Sequence, residues 1–162
     1  PITVRDFEGF ETSQYFEDTG KKMLSLKFDR ADVEKPKIGF LRMGLAFLMV
    51  RNLEILVNTD DLSAQFISSK LEELKKRKGV SYAVAEPITF WLRGDGESIK
   101  ITAQKGKLTS DGSFRLWGGV KLAINSNVNT MEKAEIKISP DKKNLVITNL
   151  DIGKNVHQIF LD

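Results

Sequence analysis

The chain has 162 residues, which suits one domain, and at 41% hydrophobic and 29% charged it has the composition of an ordinary soluble protein, not a disordered one. Its 25 Lys and Arg against 22 Asp and Glu leave a formal charge of +3, a mild excess that does not single out nucleic acid, and no aromatic–basic interleaving of an RNA platform is present. The absence of Cys excludes disulfides, thiolate nucleophiles and Cys-based metal sites, and leaves the compartment open.

The N-terminal run Ile2 to Phe10 reads as an edge strand or a lead-in. Glu17 to Gly20 is turn material, and Lys22 to Phe28 a strand with Leu24, Leu26 and Phe28 inward. Gly39 to Met43 and Leu45 to Val57 read as further strands, with Leu53, Ile55 and Val57 alternating. Leu45 to Val50 does not alternate, so it is expected to be buried on both faces or to carry a bulge. That run is also the longest apolar one, far short of the ~20 residues of a spanning helix.

One segment breaks the pattern. Leu62, Phe66, Leu71 and Leu74 lie near helical spacing, Asp60 or Asp61 can cap the start, and Gly79 can end it, so a helix is expected within 62–78 as a lid over one end of the sheet. The basic run Lys75 to Lys78 then falls at its C-terminal end, where cations suit the helix dipole.

From there on, alternation with turn punctuation dominates. Ile88 to Arg93 is a strand, Gly94-Asp95-Gly96 a turn, and Ile99, Ile101 and Ala103 share one face of the next strand. After Ser110-Asp111-Gly112, the residues Phe114, Leu116, Val120, Leu122 and Ile124 fall on one face, and Arg115, Trp117 and Lys121 on the other. Gly118-Gly119 inside that strand marks a bulge, a sharp bend or a close backbone approach. Asn125 to Asn127 turns the chain, and Ala134, Ile136 and Ile138 alternate with Lys133, Glu135 and Lys137. Leu145 to Leu150 and Val156 to Leu161 are the last strands. Sequential short strands without intervening helices imply antiparallel hairpins, with one apolar face per strand buried by two facing sheets or one sheet folded over.

Chemistry is sparse. His157 is the single histidine, with no Cys or second His to share a metal and no Gly-x-Ser-x-Gly elbow, so an edge-strand histidine is the default. Neither glycine cluster sits between a strand and a helix, as a phosphate loop requires. Asp60-Asp61 suits helix capping, and Asp29, Asp32 and Glu34 sit among Arg30, Lys35 and Lys37 as a solvated mixed-charge segment. The chain is therefore expected to be no enzyme and to hold no cofactor or metal. What remains is apolar area, which serves a filled core or an open groove equally well.

The stretch Ile99 to Leu122 resembles the repeating unit of the lipopolysaccharide-export proteins of the LptC/LptA (OstA-like) type, a strand ending in Ala, a Gly, a turn, then an apolar strand with a Gly-x-Val-x-Leu tail. Ala103, Gly106, Leu116, Gly119, Val120 and Leu122 match it. Asn129 to Ile136 is similar to the following strand of that family, Asn144 to Ile152 to the one after, and Phe28-Asp29-Arg30-Ala31 is a weaker echo of its first strand. The good match covers 97–152, whereas the helix at 62–78 and the very apolar Leu45 to Val57 depart from the family pattern.

The resemblance implies a folded-over antiparallel β-jellyroll, open along one side, in the periplasm. It implies a membrane anchor ahead of Pro1 in the full-length form. It also implies an apolar groove for lipopolysaccharide acyl chains, and edge strands that pair with other export proteins. Mapping the pattern places Ile99, Ile101, Phe114, Leu116, Val120, Leu122, Ala134, Ile136, Ile138 and Ile147 on the inner face, with Phe28, Leu53 and Ile55 lining it from the N-terminal half. The alternatives are a closed-core β domain acting through its surface, with Trp91 and Trp117 as anchors, and an enzyme or carbohydrate-binding module.

Overall fold

The computed structural model describes residues 5–15, 22–35, 37–38, 41–42, 46–58, 82–94, 96–109, 113–139 and 144–160. They form β1 (Arg5–Tyr15), β2 (Lys22–Glu34), β3 (Lys37–Ile38), β4 (Leu41–Arg42), β5 (Phe47–Asn58), β6 (Tyr82–Gly94), β7 (Glu97–Ala103), β8 (Lys105–Leu108), β9 (Phe114–Ile124), β10 (Asn127–Ile138), β11 (Asn144–Asn149) and β12 (Lys154–Phe160). The mainly β reading holds. The helix expected within 62–78 lies outside the described residues, as does the turn at 17–20. The Ile2 to Phe10 run is an edge strand from Arg5 onward, and of the strand expected at Gly39 to Met43 the described part is Leu41–Arg42, which pairs with Lys37–Ile38.

Of the two arrangements the pattern allowed, two sheets or one, the structure has one: ten strands share a sheet, in the order β1-β2-β5-β6-β7-β9-β10-β11-β12, with β8 continuing β7 between β6 and β9. The antiparallel expectation is corrected, because β5 and β6 run parallel from Phe47↔Tyr82 to Asn58↔Arg93. A parallel pair needs a long crossover, and the connection over 59–81 is long enough to return the chain to the same end of the sheet. The sequential-hairpin logic fails at that one connection and holds from β6 onward.

Among the described residues no helix covers the apolar face of the sheet, and the strands cover it by folding over. The burial pattern shows where it bends. Along β2, β5, β6, β7–β8 and β10 inward side chains recur every two residues, but at one level the interval lengthens to three. Phe28 is followed by Ala31 in β2, Val50 by Leu53 in β5, Ala85 by Ile88 in β6, Ala103 by Gly106 across β7–β8, and Met131 by Ala134 in β10. The pairings align these slips side by side across the sheet. The one-residue change of phase lets each strand turn a corner while its apolar set stays inside.

Each strand makes the corner with its own device. In β5 Asn52 adopts φ 56°, and its amide Nδ2 donates to Asp29 Oδ2 of β2 at 3.1 Å. In β6 Pro87, joined to Glu86 by a cis peptide, occupies the corner. A proline without an N–H is tolerated in a central strand because the ladder is already interrupted there. In β9 both Gly118 and Gly119 have positive φ, 82° and 81°, and the register with β10 shifts between Met131 and Lys133, so the bulge or bend expected at this glycine pair is found. Facing it, Asp151 accepts hydrogen bonds from the backbone N–H groups of Glu132 (2.9 Å), the residue skipped at the register shift, and Lys133 (3.0 Å).

Two contacts measure how far the sheet closes. By the ladders, Phe90 lies level with Leu122 and Phe114 level with Ala83. On a flat sheet that offset of seven or eight residues would hold the two rings ~23 Å apart. Their centroids are 5.0 Å apart, edge to face. Likewise β7 and β12 are separated by β9, β10 and β11, a span of ~19 Å along the hydrogen-bonding direction. Yet His157 Nε2 of β12 meets Glu97 Oε2 of β7 at 2.6 Å.

Candidate functional site

The folded sheet encloses one continuous apolar interior. Phe28, Leu53, Ile55, Ile99, Ile101, Phe114, Leu116, Val120, Leu122, Ala134, Ile136 and Ile147 are all buried in it. Of the residues expected to line a groove, only Ile138 is left aside, since its side chain lies outside those described. The pattern therefore placed the inner face correctly on both sides of the corner. It omitted the β6 contribution of Ile88, Phe90 and Leu92, and Leu48 and Val50 of β5. The same alternation carries these residues; the run around Leu48 masked it, because its outward partners Phe47 and Met49 are apolar and half-buried. Phe47 is covered from outside by Tyr82, stacked at 5.2 Å.

The side chains in this interior mostly meet one another. Among the described residues, one cavity of about 20 Å³ in this interior is bordered by Phe28, Leu53, Gly106 and Phe114 among others. That is room for about one water molecule, in a lining with almost nothing polar to hold it. Gly106 belongs to this packing: a Cβ there would stand 3.0 Å from both Ile88 and Leu116.

At the mouth, opposite the corner, the leaves are joined by His157 and Glu97, whose side chains retain 19% and 32% of their exposure. Glu97 shares the inward face of Ile99, so the pair crosses between leaves instead of lying along the outer surface. His157 does lie on an edge strand, as the default reading had it, but its role in bridging the leaves had no signal in sequence because Glu97 is 60 positions away. The outer face of the corner is a polar seam: Arg51 donates to Glu86 at 3.0 Å, and Lys105 stands 3.9 Å from the same carboxylate. Asp29 and Asp32 are taken up by Asn52 and Arg30. Among the described residues no group of three His, Cys, Asp or Glu could hold a metal, and no helix is long and apolar enough to cross a membrane.

Both tryptophans lie on the outer face and are half-buried. Trp91 carries Lys100 Nζ 4.5 Å above its ring. Trp117 borders an open cleft with Lys107, Arg115, Lys133 and Leu150.

Comparison with family models, curated proteins and solved structures returned no match.

Proposed function

We propose that this chain is a non-catalytic periplasmic bridge component that passes lipopolysaccharide toward the outer membrane, taking acyl chains between the leaves of a folded-over β-jellyroll open along one side. The observation that carries this reading is the unclosed sheet. Among the described pairings β1 bonds only to β2 and β12 only to β11, so the folded sheet is not closed by a ladder between its two edges. An acyl chain entering there exchanges leaf–leaf contacts for leaf–acyl contacts. Burying about six methylenes contributes ~5 kcal/mol, well above the ~0–1 kcal/mol expected of a partly exposed ion pair such as His157–Glu97. The same free edges offer unpaired backbone groups to neighbouring export proteins.

The cavity of about 20 Å³ favours a second reading, a closed-core β domain that works through its surface. p-Benzoylphenylalanine placed at Phe28 or Phe114, where it replaces one buried aromatic by another, separates the two. The lipid reading expects light-dependent adducts with lipopolysaccharide at both positions and none at Trp91 on the outer face. Folded, cross-linking-competent protein that never captures lipid from inside would leave only the closed-core domain.

A further inference from the structure

The outer face carries a cleft that the acyl-chain reading does not use. It lies beside the corner, where β8, β9 and β10 run in register: Lys105↔Trp117↔Lys133 and Lys107↔Arg115↔Glu135. Lys107, Arg115, Trp117 and Lys133 therefore project from one outer surface. The turn after β11 closes one side. Asp151 clamps this turn to β10 through the Glu132 and Lys133 amides, and the Leu150 N–H donates to the Lys133 carbonyl at 3.0 Å. This leaves Leu150 at 38% exposure beside the half-buried Trp117. The space between has a volume of about 480 Å³, with Leu116 at its base, within the usual range for small-molecule clefts of ~300–1,000 Å³.

The charges around it are unevenly matched. Arg115 has Glu135 at 3.5 Å. Lys107 Nζ stands 4.4 Å over the Tyr82 ring, and neither it nor Lys133 has an ion-pair carboxylate among the described residues. Asp151 lies close by, but its two carboxylate oxygens are engaged by backbone amides. An indole face and a leucine kept partly in water, under a guanidinium and two ammonium groups that have no carboxylate partner among the described residues, are complementary to one kind of molecule. We propose that this cleft binds a small amphiphilic anion, a phosphate or carboxylate carried on a flat apolar body. The body stacks on Trp117 and Leu150, and the anion is held by Lys133, Lys107 and Arg115.

The test follows the Trp117 indole Nε1–H by NMR in the full chain, its signal assigned with Trp91→Phe, alongside calorimetry. The probes are 1-naphthyl phosphate, 1-naphthoate, 1-naphthol and inorganic phosphate. At least one of the two naphthyl anions is expected to shift the Trp117 signal saturably, with a Kd about tenfold or more below those of 1-naphthol and inorganic phosphate. Comparing the two anions tells phosphate from carboxylate. Lys133→Ala is expected to raise that Kd about tenfold, the scale of one charge-assisted hydrogen bond. Lys121→Ala, on the outer face of β9 away from the cleft, should leave it unchanged. An unmoved Trp117 signal, equal binding of naphthol or of phosphate alone, or equal weakening by the two lysine variants would each overturn the proposal. Because the site is on the outer face, it can fail or hold independently of lipid capture between the leaves.

Discussion

Adjacent glycines at the corner of β9 should respond very differently to the same methyl group. Gly118 and Gly119 have nearly equal φ, 82° and 81°, so an alanine at either meets the same left-handed backbone penalty of ~1–2 kcal/mol. Their surroundings differ. A Cβ on Gly119 has nothing within 4 Å, whereas one on Gly118 would lie 2.9 Å from the Cβ of Gln104 and 3.2 Å from its Oε1. The Oε1 end can swing away, but the Gln104 Cβ is fixed to the backbone where β7 passes into β8. Relieving that overlap means moving two strands at the corner, an overpacking cost of ~1–3 kcal/mol. Gly119→Ala is therefore expected to destabilise by ~1–2 kcal/mol and Gly118→Ala by ~2–5 kcal/mol, read by urea denaturation with an unchanged m-value. In a double-mutant cycle, Gln104→Gly should recover most of the extra loss in Gly118→Ala and none of the loss in Gly119→Ala. Equal costs for the two alanines, or a cycle with no coupling, would refute the close crossing of β9 over Gln104 and with it the account of how the sheet turns.

Three further outcomes follow from the same geometry. Asn52→Ala, at φ 56° and bonded to Asp29, should cost ~1–2 kcal/mol, while Asn52→Gly, which keeps the turn but loses the bond, should cost less; thermal melts of the two decide it. Leu122→Ala removes a side chain with no exposure, and chemical denaturation should show a loss of ~2–5 kcal/mol. Glu97→Ala should lower equilibrium stability by no more than ~1 kcal/mol. Amide hydrogen exchange in β12 should nonetheless quicken several-fold relative to β9, because the pair joins that edge to β7 on the opposite leaf.

How much of this was readable beforehand divides by range. The inward sets Ile99–Ile101–Ala103, Phe114–Leu116, Val120–Leu122 and Ala134–Ile136 follow from alternation, a property of neighbours two residues apart, and the buried cluster contains them all. The glycine pair in β9 announced a corner because left-handed φ is costly for any other residue. Three features stayed hidden. The slip in β2 from Phe28 to Ala31 looks like noise in one strand, and becomes a corner only when β5, β6 and β10 slip at the same level. The strand expected to begin at Ile88 extends back through Pro87 to Tyr82, because the corner gives the proline a place without a ladder bond. The Glu97–His157 pair and the Lys107–Arg115–Lys133 cleft join residues from strands that local pattern cannot align.

By itself the sequence determined that the protein is built from β-strands, where most of them turn, and which side of each is apolar. Those are consequences of side-chain alternation and of the few residues that tolerate tight turns. Only the tertiary structure decided that β5 and β6 run parallel, that ten strands form a single sheet, and that its apolar face closes on itself. Each depends on pairing between distant segments, and the hydrogen-bonding groups that make those pairs are the same at every residue but proline, so the residue pattern along one strand does not name its partner.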